Sequence, residues 1–165
     1  MKKCAVFGIA VLSTVIIIAS AISHCQIPCG IYDDSMRFAM MREHCDTLEK
    51  SMNQINELSS AQPANYNQLV RWVNNKEQHA DYLIDIITDY FMLQRVKLPE
   101  STDEAVVASY HKKLAVLHNI LIAAMKCKQT TDPAHVAAIR QLVDEFEHLY
   151  FGKEAKEHME HEHAH

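Results

Sequence analysis

From residue 35 onward apolar side chains recur at spacings of three and four, and Gly152 is the only glycine in that stretch. Such spacing puts the apolar groups on one face of an α-helix, and no alternating strand pattern competes with it. Four segments show it. The first spans about 35–60, with Met41, Cys45, Leu48, Met52, Ile55 and Leu58 on one stripe; Asp34 or Ser35 can cap its start. Ser59 to Pro63 break it. The second spans about 65–96, with Leu69, Trp72, Val73, Lys76, Ala80, Leu83, Ile87 and Phe91 in register, and Pro99 ends it. The third spans about 102–128, capped by Ser101 or Thr102, with Val106, Tyr110, Leu114, Leu117, Leu121 and Ala124. Asp132 and Pro133 open the fourth as N-cap and N1. Its stripe is Val136, Ile139, Leu142, Val143, Phe146 and Leu149 or Tyr150, and Gly152 stops it. Four amphipathic helices on short loops can bury one shared core, so the expected fold is all-α, an antiparallel four-helix bundle over 35–153.

The first 23 residues are of another kind. Lys2 and Lys3 precede an uncharged run from Ala5 to Ile22, and Ala21 and Ser23 are small at the −3 and −1 positions of a cut before His24. That is the pattern of a cleavable signal peptide, and it implies export to the periplasm or the exterior. An uncleaved membrane anchor is the rival, since the run is about as long as the ~18 residues of a short spanning helix; membrane contact is expected only in that case. Cleavage leaves 142 residues, enough for one domain, with 14 Lys+Arg against 21 Asp+Glu. A mature charge of about −7 lacks the clustered positive charge of a nucleic-acid binder, so no nucleic-acid partner is expected. Cys4 belongs to the leader, and Cys45 and Cys127 read as buried small apolar groups.

Between leader and helices, 24–34 carry the chemistry: His24-Cys25-Gln26-Ile27-Pro28-Cys29-Gly30-Ile31-Tyr32. Cysteines four apart do not form the Cys-x-x-Cys of thioredoxin-like or zinc sites. Pro28 and Gly30 favour a reversal that brings Cys29 back toward Cys25. With the peptide bond before His24 cut, the His24 α-amine and the Cys25 amide nitrogen close one five-membered chelate. The Cys25 thiolate closes a second, Cys29 adds a fourth planar donor, and the His24 imidazole can approach axially. Planar nitrogen and sulfur donation suits Ni(II) or Cu(II) rather than tetrahedral zinc. Oxidation of Cys25 and Cys29 to a disulfide would compete with metal in an exported chain.

This segment, with a removable leader before it and a helical domain after it, resembles the nickel hook of the nickel superoxide dismutases. Asp33 follows as in that family, and Lys76-Glu77-Gln78-His79-Ala80 and Asp89-Tyr90-Phe91 resemble its second helix. The resemblance implies an oxidoreductase that disproportionates superoxide to dioxygen and hydrogen peroxide, with one nickel ion per chain alternating between Ni(II) and Ni(III). By position it implies nickel ligation by His24 (amine and imidazole), Cys25 (amide and thiolate) and Cys29 (thiolate), and a Tyr32 that restricts the open axial face to small anions. It also implies a homohexamer, and a hook that folds as it takes up metal.

Several positions depart from the family pattern. Gln26 stands where many members have an acidic residue, and His79 where many have arginine. Ungapped counting puts Met40 at the position of a carboxylate that orients the axial histidine, with Glu43 nearby. Many members carry a short polar prosequence in place of an export leader; read that way, the product would stay in the cytoplasm. His44, His79, His111 and His118 read as surface or satisfied core histidines, with His79 the one to test. Met36, Met40, Met41 and Met52 read as core or interface filling rather than a copper-binding box, and Trp72 as core. The tail 154–165 interleaves His158, His161, His163 and His165 with Glu157, Glu160 and Glu162. It reads as a mobile segment, either a weak metal trap or a solvated acidic end. Two other functions are compatible with the residues: a non-redox nickel or copper chaperone using hook and tail, and a membrane-anchored interaction module whose hook cysteines are disulfide-bonded.

Overall fold

In the computed structural model the described residues are 30–162, with side chains through Gly152. The chain divides between Tyr32 and Asp33, and among the described residues every helix belongs to the second unit. Helix α1 is Asp34–Ser60. Helix α2 is Tyr66–Asp85 and continues as a π-helical segment, Ile86–Arg95. Helix α3 is Glu104–Gln129, and α4 is Ala134–Glu162 with a break at Gly152. Each helix packs on the next, and α4 returns to α1. Side-chain pairs run in opposite order along neighbours: His44 meets His79 while Ser51 meets Asn75. Arg42 meets Glu147 while Arg140 meets Glu49. That is the antiparallel four-helix bundle expected from periodicity. Among the described residues no helix is long and apolar enough to cross a membrane.

The stripes face the core as expected in their central parts: Met41, Cys45, Leu48, Met52, Ala80, Leu83, Ile87, Phe91, Leu117, Ala124, Val136, Ile139, Val143 and Phe146 are buried. Their ends differ. Val73 and Val106 are exposed and Trp72 is half-buried. Of the methionines, Met41 and Met52 fill the core while Met36 is exposed. Phe38, one turn before Met41, extends the first stripe and is wholly buried.

Two caps differ from expectation. Asp33, not Asp34 or Ser35, caps α1, accepting from the Met36 amide at 2.9 Å. Asp103, not Ser101 or Thr102, caps α3, accepting from the Ala105 amide at 2.8 Å, while Ser101 Oγ accepts from the Asp103 amide. A carboxylate outcompetes a hydroxyl where both can reach the first free amides, since its charge also meets the positive end of the helix. Asp132 caps α4 as expected, through the Ala134 amide.

The π segment was read as ordinary helix. Leu83, Ile87, Phe91 and Arg95 are spaced by four, which overshoots the ~3.6 residues of an α-turn. The wider turn keeps Ile87 and Phe91 in the core, and the Val96 amide donates to the Phe91 carbonyl at 2.7 Å, a step of five. Beyond Gly152, whose φ of 77° interrupts α4, the backbone is helical again to Glu162.

Lys76 sits in the middle of an apolar stripe and is only 4 % exposed. Its ammonium donates to the Cys127 and Lys128 carbonyls at 2.7 and 2.6 Å and to Glu77 at 2.9 Å. It thereby satisfies the C-terminal carbonyls of α3 from a neighbouring helix. Lys76→Met keeps the stem but strands those carbonyls, and should lower stability by about 2 kcal/mol in a thermal or urea melt.

Candidate metal centre

His24, Cys25 and Cys29 lie outside the described residues, as does Pro28. The described part of the segment begins at Gly30, whose φ of 88° lies in the left-handed region. A glycine suits that conformation, which other residues rarely adopt. A Cβ there would meet no atom within 4 Å, so a substitution costs only backbone strain, about 1 kcal/mol. Tyr32 is 39 % exposed, so its ring is accessible to solvent on part of its surface.

The two thiols of the bundle are unsuited to metal. Cys45 and Cys127 are wholly buried and free, and burial pushes their thiols up to about 12 and about 11. At neutral pH neither supplies a thiolate. Among the described residues no three His, Cys, Asp or Glu side chains gather as a metal site. By donor chemistry the Cys25 and Cys29 thiols and the His24 imidazole would fit nickel, and among the described residues the bundle offers no comparable set.

The start of α1, two residues beyond Tyr32, is held firmly. Asp34 receives two hydrogen bonds from Arg95, at 2.9 and 2.6 Å, one from Tyr150 at 2.9 Å, and one from Tyr90. Burial opposes its charge, but Arg95, Tyr90 and Tyr150 together hold its carboxyl below the usual range. Burial and the Asp34 charge push Tyr150 up to about 12 and Tyr90 also upward, so both phenols remain protonated donors. The first turn of α1, the π segment and the end of α4 are thus tied at one carboxylate. Sequence reasoning missed this cluster; the available signal was a carboxylate directly after a better-placed cap.

Met40 and His79, both departures from the family pattern, lie on facing helices near one another. Met40 lines a cavity of about 300 Å³ with His44, Tyr82, Asp85 and Ile86. His44 Nδ1 stands 3.1 Å from His79 Nδ1, and the Tyr82 ring lies 5.6 Å from each imidazole. At that separation one nitrogen must carry the proton and the other the lone pair. His44 is therefore a satisfied core histidine with His79 as its partner, while His111 and His118 are exposed. Burial holds both paired imidazoles below the ordinary range; mutual repulsion adds to this at His44, and Glu43 opposes it at both.

The sign of the pH effect follows. The unfolded chain takes up protons at about pH 6.5, before the folded pair does, so stability falls as pH drops through that value. Asp34 titrates lower, so the window from pH 7 to 5 belongs chiefly to imidazoles. Midpoints of urea unfolding should fall across it, and His44→Gln with His79→Gln should make the slope shallower.

Comparison with curated proteins found no match, nor did comparison with solved structures. A family model described as nickel-containing superoxide dismutase matches residues 19–154, a span that takes in the hook segment and the bundle and stops where the His/Glu-rich tail begins. The chain therefore belongs to the nickel-containing superoxide dismutases, oxidoreductases that act on superoxide with a nickel cofactor.

Proposed function

We propose that the nickel is held at residues 24–29 once the peptide bond before His24 is cut. His24 would provide its amine and imidazole, Cys25 its amide nitrogen and thiolate, and Cys29 its thiolate, for one ion per chain. Bound there, nickel supplies one-electron exchange between Ni(II) and Ni(III), the thiolates and amide making the higher state accessible. The His24 imidazole would add a further nitrogen donor and so favour the higher state. Tyr32 narrows the approach to small anions and orders water or substrate through its hydroxyl. The observation that carries this reading is the nine-residue segment His24 to Tyr32 inside the span matched by the family. The burial of both bundle cysteines supports it, since their protonated thiols leave this task to Cys25 and Cys29.

The leader 1–23 is read as an export signal on its charge and small-residue pattern, so maturation and nickel loading belong outside the cytoplasm. A homohexamer is the assembly proposed by resemblance. Intact mass and metal content of the chain from its native compartment, with a superoxide-decay assay, test the whole reading. A chain starting at His24 with one nickel and dismutation is expected; an intact Met1 would exclude the amine ligand. His24→Ala should retain part of the nickel but lose turnover, since both thiolates would stay while the imidazole goes.

A further inference from the structure

Four arginines in the described residues have part-buried side chains: Arg37, Arg42, Arg95 and Arg140. Three of them hold carboxylates. Arg42 pairs with Asp144 and Glu147, Arg95 with Asp34, and Arg140 with Asp46 and Glu49. Arg37 takes part in no ion pair among the described residues. Its guanidinium lies 4.8 Å over the Tyr90 ring, and its Nη1 reaches only the Met40 sulfur, at 3.6 Å. Its Nε is buried and has no hydrogen-bond partner.

This arrangement is costly without a ligand. A buried donor left unmade costs about 1–3 kcal/mol, and more when the group is charged. A thioether is a weak acceptor, and an aromatic face attracts the cation without satisfying the N–H. The group that would satisfy Nε is an acceptor carrying negative charge. The Arg37 side chain is only half-buried, so part of it meets solvent.

The charge distribution points the same way. The chain carries a net −5, and its substrate is an anion. No lysine or arginine occurs between Lys3 and Arg37, so Arg37 is the first such residue after the hook segment. We propose that Arg37, backed by the Tyr90 ring, is a binding site for small inorganic monoanions, superoxide among them. It concentrates substrate on a protein that otherwise repels it. Arg37 binds the anion and takes no part in electron transfer. The identity of superoxide as its ligand rests on the dismutase reading; the anion site itself does not.

Two measurements separate these. In the full chain carrying Cys25→Ser and Cys29→Ser, where azide has no nickel to bind, azide is titrated while the arginine ¹⁵Nε resonances are followed by NMR. The Arg37 resonance should shift saturably while those of Arg42 and Arg140 stay still. An Arg37 resonance that does not move overturns the site. In nickel-loaded enzyme, Arg37→Met should lower the second-order dismutation rate about tenfold at low ionic strength and flatten its salt dependence. Arg37→Lys should restore part of both. An unchanged rate and slope at unchanged nickel content overturns the substrate role. If fully loaded wild-type enzyme does not dismutate superoxide, that reading fails, and the azide titration still decides whether Arg37 binds anions.

Discussion

Cys25→Ser and Cys29→Ser, each alone, will abolish nickel retention and superoxide dismutation together. A serine hydroxyl is a hard, neutral donor at neutral pH, and it neither holds a borderline metal in a planar set nor lowers its potential. Removing even an outer partner of a ligand costs 10- to 100-fold in affinity or activity, so loss of a ligand itself should exceed about 100-fold. Metal content per chain and stopped-flow superoxide decay give the two readouts. Far-ultraviolet circular dichroism should stay the same, because the core lies wholly within the unit from Asp33 onward. Full activity in either variant would rule out thiolate ligation at that position. Cys45→Ser provides the contrast. It touches stability and not nickel, because that thiol is buried and protonated.

Phe38→Ala should produce the largest loss of stability of any single truncation in the bundle, about 3–5 kcal/mol. The ring is wholly buried and lies 5.0 Å from Phe91, 5.4 Å from Phe146, 5.9 Å from Tyr150 and 5.4 Å from Phe151. It joins α1 to the π segment and to the end of α4, one turn from the Asp34 cluster. Truncation removes the buried surface and leaves a cavity among rings that are themselves locked by edge contacts, such as Phe91 on Phe146 at 4.9 Å. Urea unfolding should show a lower midpoint with an unchanged slope. Phe38→Leu, which keeps most of the volume, should cost less than half as much. If the two variants lose the same amount, the aromatic cluster is not what holds this end of the bundle.

The helices could be read from the chain because their signal is local. A stripe at three and four needs only the residues within it, and Met41, Cys45, Leu48 and Met52 go where that spacing sends them. Caps were legible to within a residue or two: at α3 the Asp103 carboxylate displaces the expected hydroxyls, and α1 begins one residue early, so Asp33 caps it while Asp34 turns to Arg95. The π segment could not be read by a template of α-periodicity, although its steps of four already departed from it. Lys76 was visible as a charge in an apolar stripe, but its acceptors lie 51 and 52 residues away.

The candidate site divides in the same manner. His24, Cys25 and Cys29 fall within six consecutive positions, so covalent geometry alone allows them to chelate one ion. Those donors alone left Ni(II) or Cu(II) open; the likeness of the segment to the family's hook pointed to nickel and superoxide, and the local apolar spacing determined the helical scaffold. The contacts within the bundle are another matter. The pairing of His44 with His79, the tie of Asp34 to Arg95, and the isolation of Arg37 over Tyr90 each join residues 35 to 61 positions apart. Only the packing of α1 against α2 and its π extension decides those contacts. A shift of one residue in helix register would turn each side chain by about 100° and leave it facing another neighbour.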